Sequence, residues 1–175
     1  MVYDIDEQWQ IDLVDLSKLS KFNSGYKFLL VCIDVLSKCL WFEPLKSKTA
    51  IEVKNALEKI FKKSNRKPKA ITFDKGGEFE NVQVKTLFKK YGIKTFHTYS
   101  QITKSSIVER VNKTLKGLKW LYFTSKNTRK YIDVLQKLVS RYNSAYHRSI
   151  KMAPKDVNKS NSTFAWINLY KINSK

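Results

Sequence analysis

The feature that most restricts how this chain can fold is a change of hydrophobic period after its first three apolar segments. Trp9 to Leu16 alternates and is rich in branched residues, Asn23-Ser24-Gly25 marks a turn, and Tyr26 to Asp34 and Lys38 to Pro44 repeat the two-residue pattern. Three adjacent strands joined by short connections predict an antiparallel meander whose first strand is buried on both faces. From Thr49 the period lengthens. Thr49-Ala50-Ile51-Glu52 has the form of a capping box, and Ile51, Val53, Ala56, Leu57, Ile60 and Phe61 follow at helical spacing to about Lys63. A short strand, Ala70 to Phe73, then a helix from Val82 to Tyr91 stopped by Gly92, and a strand from Ile93 to His97 come next. Ser105 to Phe123 and Thr128 to His147 predict two long amphipathic helices, and Pro154 ends the regular pattern. The order β-β-β-α-β-α-β-α-α is that of an α/β fold. It predicts a mixed five-stranded sheet, three antiparallel strands and then two parallel ones, flanked by helices on both faces.

Three acids stand out against this framework. Asp12 interrupts the apolar strand Ile11-Asp12-Leu13-Val14, where a charge is costly unless paired or bound to a metal. Asp74 ends the next strand that could lie beside it, just before Gly76-Gly77, and ligand sites of open α/β sheets gather at strand ends. Glu109 opens a helix otherwise crowded with Lys and Arg. Taken singly, an ion-paired Asp12, a turn-forming Asp74 and a helix-favouring Glu109 are equally good readings. Taken jointly, three carboxylates suit a hard, oxygen-seeking ion such as Mg²⁺ or Mn²⁺. Two such ions can assist an in-line phosphodiester displacement.

Charge points the same way. The 34 Lys and Arg outnumber 15 Asp and Glu, leaving +19, which is the footprint of a partner with many phosphates, although surface lysine alone also raises net charge. Only Glu109, Asp133 and Asp156 are acidic between Ser100 and Lys175, so the back half is the basic half. Cys32 and Cys39 lie in apolar segments and suit buried thiols of a reducing, intracellular compartment rather than a disulfide framework. There is no Cys/His cluster with zinc spacing. The N-terminus lacks the apolar stretch of a signal peptide, and the longest apolar run, Phe28 to Ile33, is too short to span a membrane.

Four motifs occur in order: Trp9-Gln10-Ile11-Asp12-Leu13, Ile33-Asp34-Val35-Leu36-Ser37-Lys38, Phe73-Asp74-Lys75-Gly76-Gly77-Glu78-Phe79, and Ile107-Val108-Glu109-Arg110-Val111-Asn112-Lys113-Thr114-Leu115-Lys116. On these the chain resembles the core domain of retroviral and retrotransposon integrases, and among them the integrases of Polinton/Maverick DNA transposons. The resemblance runs from about Gln8 to Pro154, and Tyr142-Asn143-Ser144-Ala145-Tyr146-His147-Arg148-Ser149 matches the way such cores end. It implies a ribonuclease-H-like fold, 3′-end processing, and joining of element DNA to target DNA. It also implies Asp12, Asp74 and Glu109 as catalytic acids on a two-ion Mg²⁺ or Mn²⁺ site. Asn112, Lys113 and Lys116 match the helix face that contacts element DNA, and Lys113 and Lys116 follow Glu109 at helical spacing. Double-stranded DNA is the implied partner, a homodimer or higher multimer the implied assembly, and the nucleus the implied location. The core is expected over residues 1–157, with 158–175 as a linker and the start of a following module. The chain departs from the retroviral pattern in two ways: Asp74 to Glu109 is one residue shorter, and Tyr99 to Ser106 has no glycine.

Other acids have plainer readings. Asp34 reads as the cap of the turn before Ser37-Lys38, Asp15 as peripheral, and Glu78 either as support for the site or as a surface residue. Lone His97 and His147 read as structural. Trp9, Trp41 and Trp120 read as core or interface residues, and the aromatics around Trp120 are open to a dimer surface. Beside a strand transferase, two functions remain open: a plain nuclease on the same fold, and a catalytically silent DNA-binding domain.

Overall fold

The computed structural model describes residues 1–74, 77–97, 113, 117 and 122–170. Five strands form one sheet: β1 (Gln8–Asp15), β2 (Phe28–Asp34), β3 (Leu40–Leu45), β4 (Ala70–Phe73) and β5 (Lys94–His97). Their order across the sheet is β3-β2-β1-β4-β5. β1 pairs antiparallel with β2 and β2 with β3, whereas β4 runs parallel to both β1 and β5. The expected mixed sheet is therefore present, each strand lying within two residues of its expected place. Helices bounded among the described residues are α1 (Ala50–Ser64), α2 (Gly77–Glu80), α3 (Val82–Lys90), α4 (Leu135–Ser144) and α5 (Ser162–Tyr170).

Alternation along the strands makes two apolar layers. On one face Trp9, Ile11, Leu30 and Cys32 pack with Val53, Leu57, Ile60 and Phe61 of α1 and with Val84, Leu87 and Phe88 of α3. Trp9 is fully buried there, its ring stacked 4.3 Å from Trp41. On the other face Leu29, Val31, Ile33, Leu40 and Phe42 meet Tyr131, Leu135 and Val139. Each fully buried aliphatic side chain contributes about 1.5–3 kcal/mol, so the two layers account for why the sheet needs helices on both sides.

Two local expectations change. The capping box is not formed: Thr49 makes no side-chain cap bond, and Glu52 instead accepts from the Lys46 and Ser47 amides upstream. The helix expected over Thr128–His147 shortens to α4, preceded by a 3-10 turn at Ile132–Val134. Buried Asn23 accounts for this, because its side-chain oxygen takes the Tyr131 and Ile132 amides and its amide donates to the Leu19 and Arg129 carbonyls. That bracing holds the chain in a strap before the helix starts. At the far end Ala145 is extended, and the Asn143 side chain caps the exposed edge of the sheet by bonding both the amide and the carbonyl of Leu40. The helix expected over Ser105–Phe123 lies mostly outside the described residues; residues 122–126 are helical.

In the segment after residue 157, expected as a linker and the start of a following module, the described residues fold onto the N-terminus. α5 brings Trp166 and Leu169 against Val2, Val35 and Leu36, with Tyr3 stacked 5.6 Å from Trp166, and buried Ala165 packs with Ile150 and Val157. The Val2 amide donates to the Tyr170 hydroxyl. The described chain to Tyr170 thus shares the packing of the preceding core.

Candidate active site at the β1–β4 strand ends

The pairing of β1 with β4 decides the placement of the first two acids. Gln8 is level with Ala70, Trp9 with Ile71 and Gln10 with Thr72. Continued two residues past its last pair, to the residue that follows β4, this register would align Asp12 with Asp74. Alternation puts Asp12 on the face that carries Gln10. Adjacent parallel strands are about 4.8 Å apart, close enough for two carboxylates to share one ion. The register is pinned beside them: the Gln8 amide donates to Thr72 Oγ1 at 3.2 Å, and that hydroxyl donates to the Trp9 carbonyl at 3.3 Å.

Openness of this face rises from strand to strand. Across β3, β2 and β1 the row reads Phe42, Val31 and Asp12. Phe42 and Val31 are buried under α4, Asp12 is half-buried, and Asp74 is exposed. The expectation that β1 is buried on both faces therefore needs correcting. Trp9 and Ile11 are buried but Gln10, Asp12 and Val14 are only half so, because α4 covers the β2–β3 side. An acid at position 12 is thus reachable from solvent while seated in the central strand. Its Oδ1 accepts the Leu13 amide at 2.8 Å.

Asp74 is held by what flanks it. Phe73 is buried and its ring lies 5.2 Å from that of Phe79 in α2. Asn81 caps α3 through the Val84 amide and donates back to the Glu78 carbonyl, which joins α2 to α3.

The remaining expected residues fall as follows. Lys113 occupies an exposed helical position. Glu109, Asn112 and Lys116 lie outside the described residues, and so does the loop from Tyr99 to Ser106. Among the described residues no three His, Cys, Asp or Glu gather into a metal-binding group, so the described part of the site is a carboxylate pair. Asp15 points to the opposite face and accepts from Ser17, whose hydrogen bonds hold its carboxyl below the ordinary range. Glu78 pairs with Lys48 at 3.2 Å; its own backbone amide, and then Lys48, lower its pKa. That favours the surface reading of Glu78.

Asp34 is the turn cap that its position before Ser37 suggests. Fully buried, it accepts the Ser37 amide and hydroxyl and the Asp6 amide. Burial raises its pKa despite these bonds and Arg66. Sequence reading missed the partner: Arg66 binds Asp6 through Nε at 3.0 Å and reaches Asp34 at 3.4 Å, its guanidinium 5.0 Å from the centre of the Trp41 ring. The three come from separate segments, and no spacing rule joins them. This network sits at the start of β1, away from Asp12 and Asp74. Cys32 and Cys39 are buried free thiols, the latter pushed up to about 11 by desolvation. Among the described residues no helix is long and apolar enough to cross a membrane.

Comparison with known proteins bears on the family and the fold. Residues 5–101 match the family model described as the integrase core domain. The chain is 43% identical over 144 residues to an uncharacterized transposon-derived protein of Caenorhabditis elegans, covering 82% of this chain and 50% of that one. It is 34% identical over 110 residues to the Pol polyprotein of feline endogenous virus ECE1, covering 62% of this chain and 10% of that protein. It therefore spans at most half the length of these relatives. The trimeric form of the HTLV-2 integrase catalytic core domain, in complex with magnesium, superposes with a TM-score of 0.72 at 20% identity, covering 90% of this chain and 99% of that one. The ribonuclease-H-like expectation for the fold is met.

Proposed function

This chain belongs to the integrase core domain family, and on that premise we propose that it is the catalytic core of a metal-dependent polynucleotidyl transferase that processes element 3′ ends and joins them to target DNA. The observation that carries the proposal is the parallel β1–β4 pairing up to Gln10 and Thr72, whose continuation would bring Asp12 beside Asp74. The two supply hard oxygen donors, and Glu109 is assigned as the third. Together they fit Mg²⁺ or Mn²⁺, which when bound would activate the attacking oxygen and offset charge on the leaving oxygen.

The protein's own contribution is placement. β1 pairs with β2 at Asp12 and with β4 from Gln8 to Gln10, and the Phe73–Phe79 contact ties the end of β4 to α2. A rigid pair loses little freedom when it takes up a ligand. Asn112, Lys113 and Lys116 are assigned to the phosphates of element DNA beside the acids. Double-stranded DNA as partner, a dimer or higher multimer, a nuclear site of action, and membership of the Polinton/Maverick group form part of the same proposal. The last is supported by the four ordered motifs and by the similarity to a transposon-derived protein.

A strand-transfer assay with labelled duplex oligonucleotides bearing recessed 3′ ends, in Mg²⁺ or Mn²⁺, tests the reading. Joined products support it. Cleavage without joining would make the protein a nuclease, and a gel shift without either would make it a silent DNA-binding domain. Full activity in Asp74→Asn would remove Asp74 from the chemistry.

A further inference from the structure

Three segments distant in sequence meet at the end of the sheet opposite the carboxylate pair, and all three are basic. The end of α1 and the loop after it supply Lys62, Arg66, Lys67 and Lys69, the end of α3 supplies Lys90, and the start of β5 supplies Lys94. Their contiguity is direct. The Lys94 amide donates to the Lys69 carbonyl at 2.9 Å, and Glu58 holds Lys62 and Lys90 at 3.4 Å each. The Tyr91 ring lies 5.9 Å from the Lys67 ammonium and 5.5 Å from that of Lys90. A recess of about 280 Å³ opens here, lined by Phe61, Tyr91, Asn65 and three of the cations.

The charge of this surface is largely uncompensated. Glu58 is shared by two lysines, and Asp6 and Asp34 are occupied by Arg66. Lys67, Lys69 and Lys94 are exposed and hold no ion pair among the described residues. We propose that this surface binds the phosphate backbone of duplex DNA, as a second DNA contact remote from the carboxylate pair. The path along β4 from Lys69 to Asp74 is five residues, about 16 Å at 3.3 Å per residue. The chemistry favours phosphate over acidic protein. The planar fork of arginine grips carboxylate and phosphate alike, and the one arginine here is already engaged, so the choice falls to the lysines. The free groups are ammonium point charges on flexible stems, spread over three segments as a repeating polyanion requires. The inference goes beyond the proposed activity and does not use its metal chemistry.

The test is fluorescence anisotropy of the full chain with a labelled random-sequence duplex in EDTA, titrated over a series of KCl concentrations. Each lost phosphate contact lowers the slope of log K against log salt by about 0.9. Lys67→Ala/Lys69→Ala/Lys94→Ala should flatten that slope by about 2 to 3 and weaken binding at least about tenfold at low salt. A control of equal charge, Lys137→Ala/Lys155→Ala/Lys159→Ala, changes exposed lysines elsewhere and should do much less. The single reversal Lys67→Glu should act in the same direction as the triple variant. Equal losses in the patch and control variants, or polyglutamate competing as well as DNA per unit charge, would overturn the proposal. Because no divalent ion is present, a failed strand-transfer assay leaves this result standing, and the converse also holds.

Discussion

Replacing Asn23 with alanine should unfasten the strap that leads into α4. Asn23 is fully buried, and its one side chain serves four backbone groups: the amides of Tyr131 and Ile132 at 2.7 and 3.1 Å, and the carbonyls of Leu19 and Arg129 at 2.8 and 3.0 Å. The four do not lose equally. Tyr131 is only 2% exposed, so water reaches its amide poorly, whereas Arg129 is exposed and Leu19 half-buried. Taking about 2 kcal/mol for one stranded buried amide and about 1 kcal/mol for the three groups that partly rehydrate gives a loss of about 3 kcal/mol. With a urea dependence near 2 kcal/mol per molar, the midpoint should fall by about 1.5 M. Urea unfolding followed by tryptophan fluorescence and by circular dichroism measures it. Asn23→Asp should not rescue stability, since it sets a carboxylate against two carbonyls. A midpoint shift below about 0.5 M for the alanine variant would refute the bracing role.

Further outcomes follow from other contacts. Glu52 accepts the Ser47 and Lys46 amides, and the Ser47 amide is the main cause of its pKa lying below the ordinary 4.5. A depressed carboxylate contributes stability that is present above its ordinary pKa and lost as pH falls through the folded value. Glu52→Gln should therefore be less stable than the parent at neutral pH, and the gap should close on acidification below 4.5; a gap constant with pH contradicts the assignment. Arg66→Met keeps an apolar stem against Trp41 but strips Asp34 of its cation, and should cost about 3 kcal/mol at neutral pH. The pKa of Asp34 is already raised by burial and would rise further, so the deficit should shrink as acid neutralises it. A deficit that grew on acidification would be the wrong sign. At roughly a hundredfold excess over its dissociation constant, Mn²⁺ should stabilise the parent by about 2.7 kcal/mol, raising the melting temperature by about 5–10 °C. Asp12→Asn or Asp74→Asn should abolish that rise, as read by scanning calorimetry, and an undiminished rise in either would remove that residue from the metal site.

Periodicity and punctuation were enough to read the five strands, their antiparallel and parallel halves, and α1 with its start at Ala50, because these depend on short-range alternation and on which faces must be buried. Asp12 and Asp74 were legible for a related reason: a charge inside an apolar strand and an acid at a strand end are anomalies visible one residue at a time. What relates the two strands that carry them is the β1–β4 pairing, a contact between segments some sixty residues apart. The same holds for Asn23 and Tyr131, for Arg66 with Asp6 and Asp34, and for the docking of α5 on the N-terminus. A helical period does not distinguish α-helix from a 3-10 turn whose amides are taken by a distant asparagine. Nor does a basic composition reveal that Lys67, Lys90 and Lys94 share one surface. Local pattern specifies which groups must be buried or satisfied; the partners that satisfy them are chosen only when the chain closes on itself.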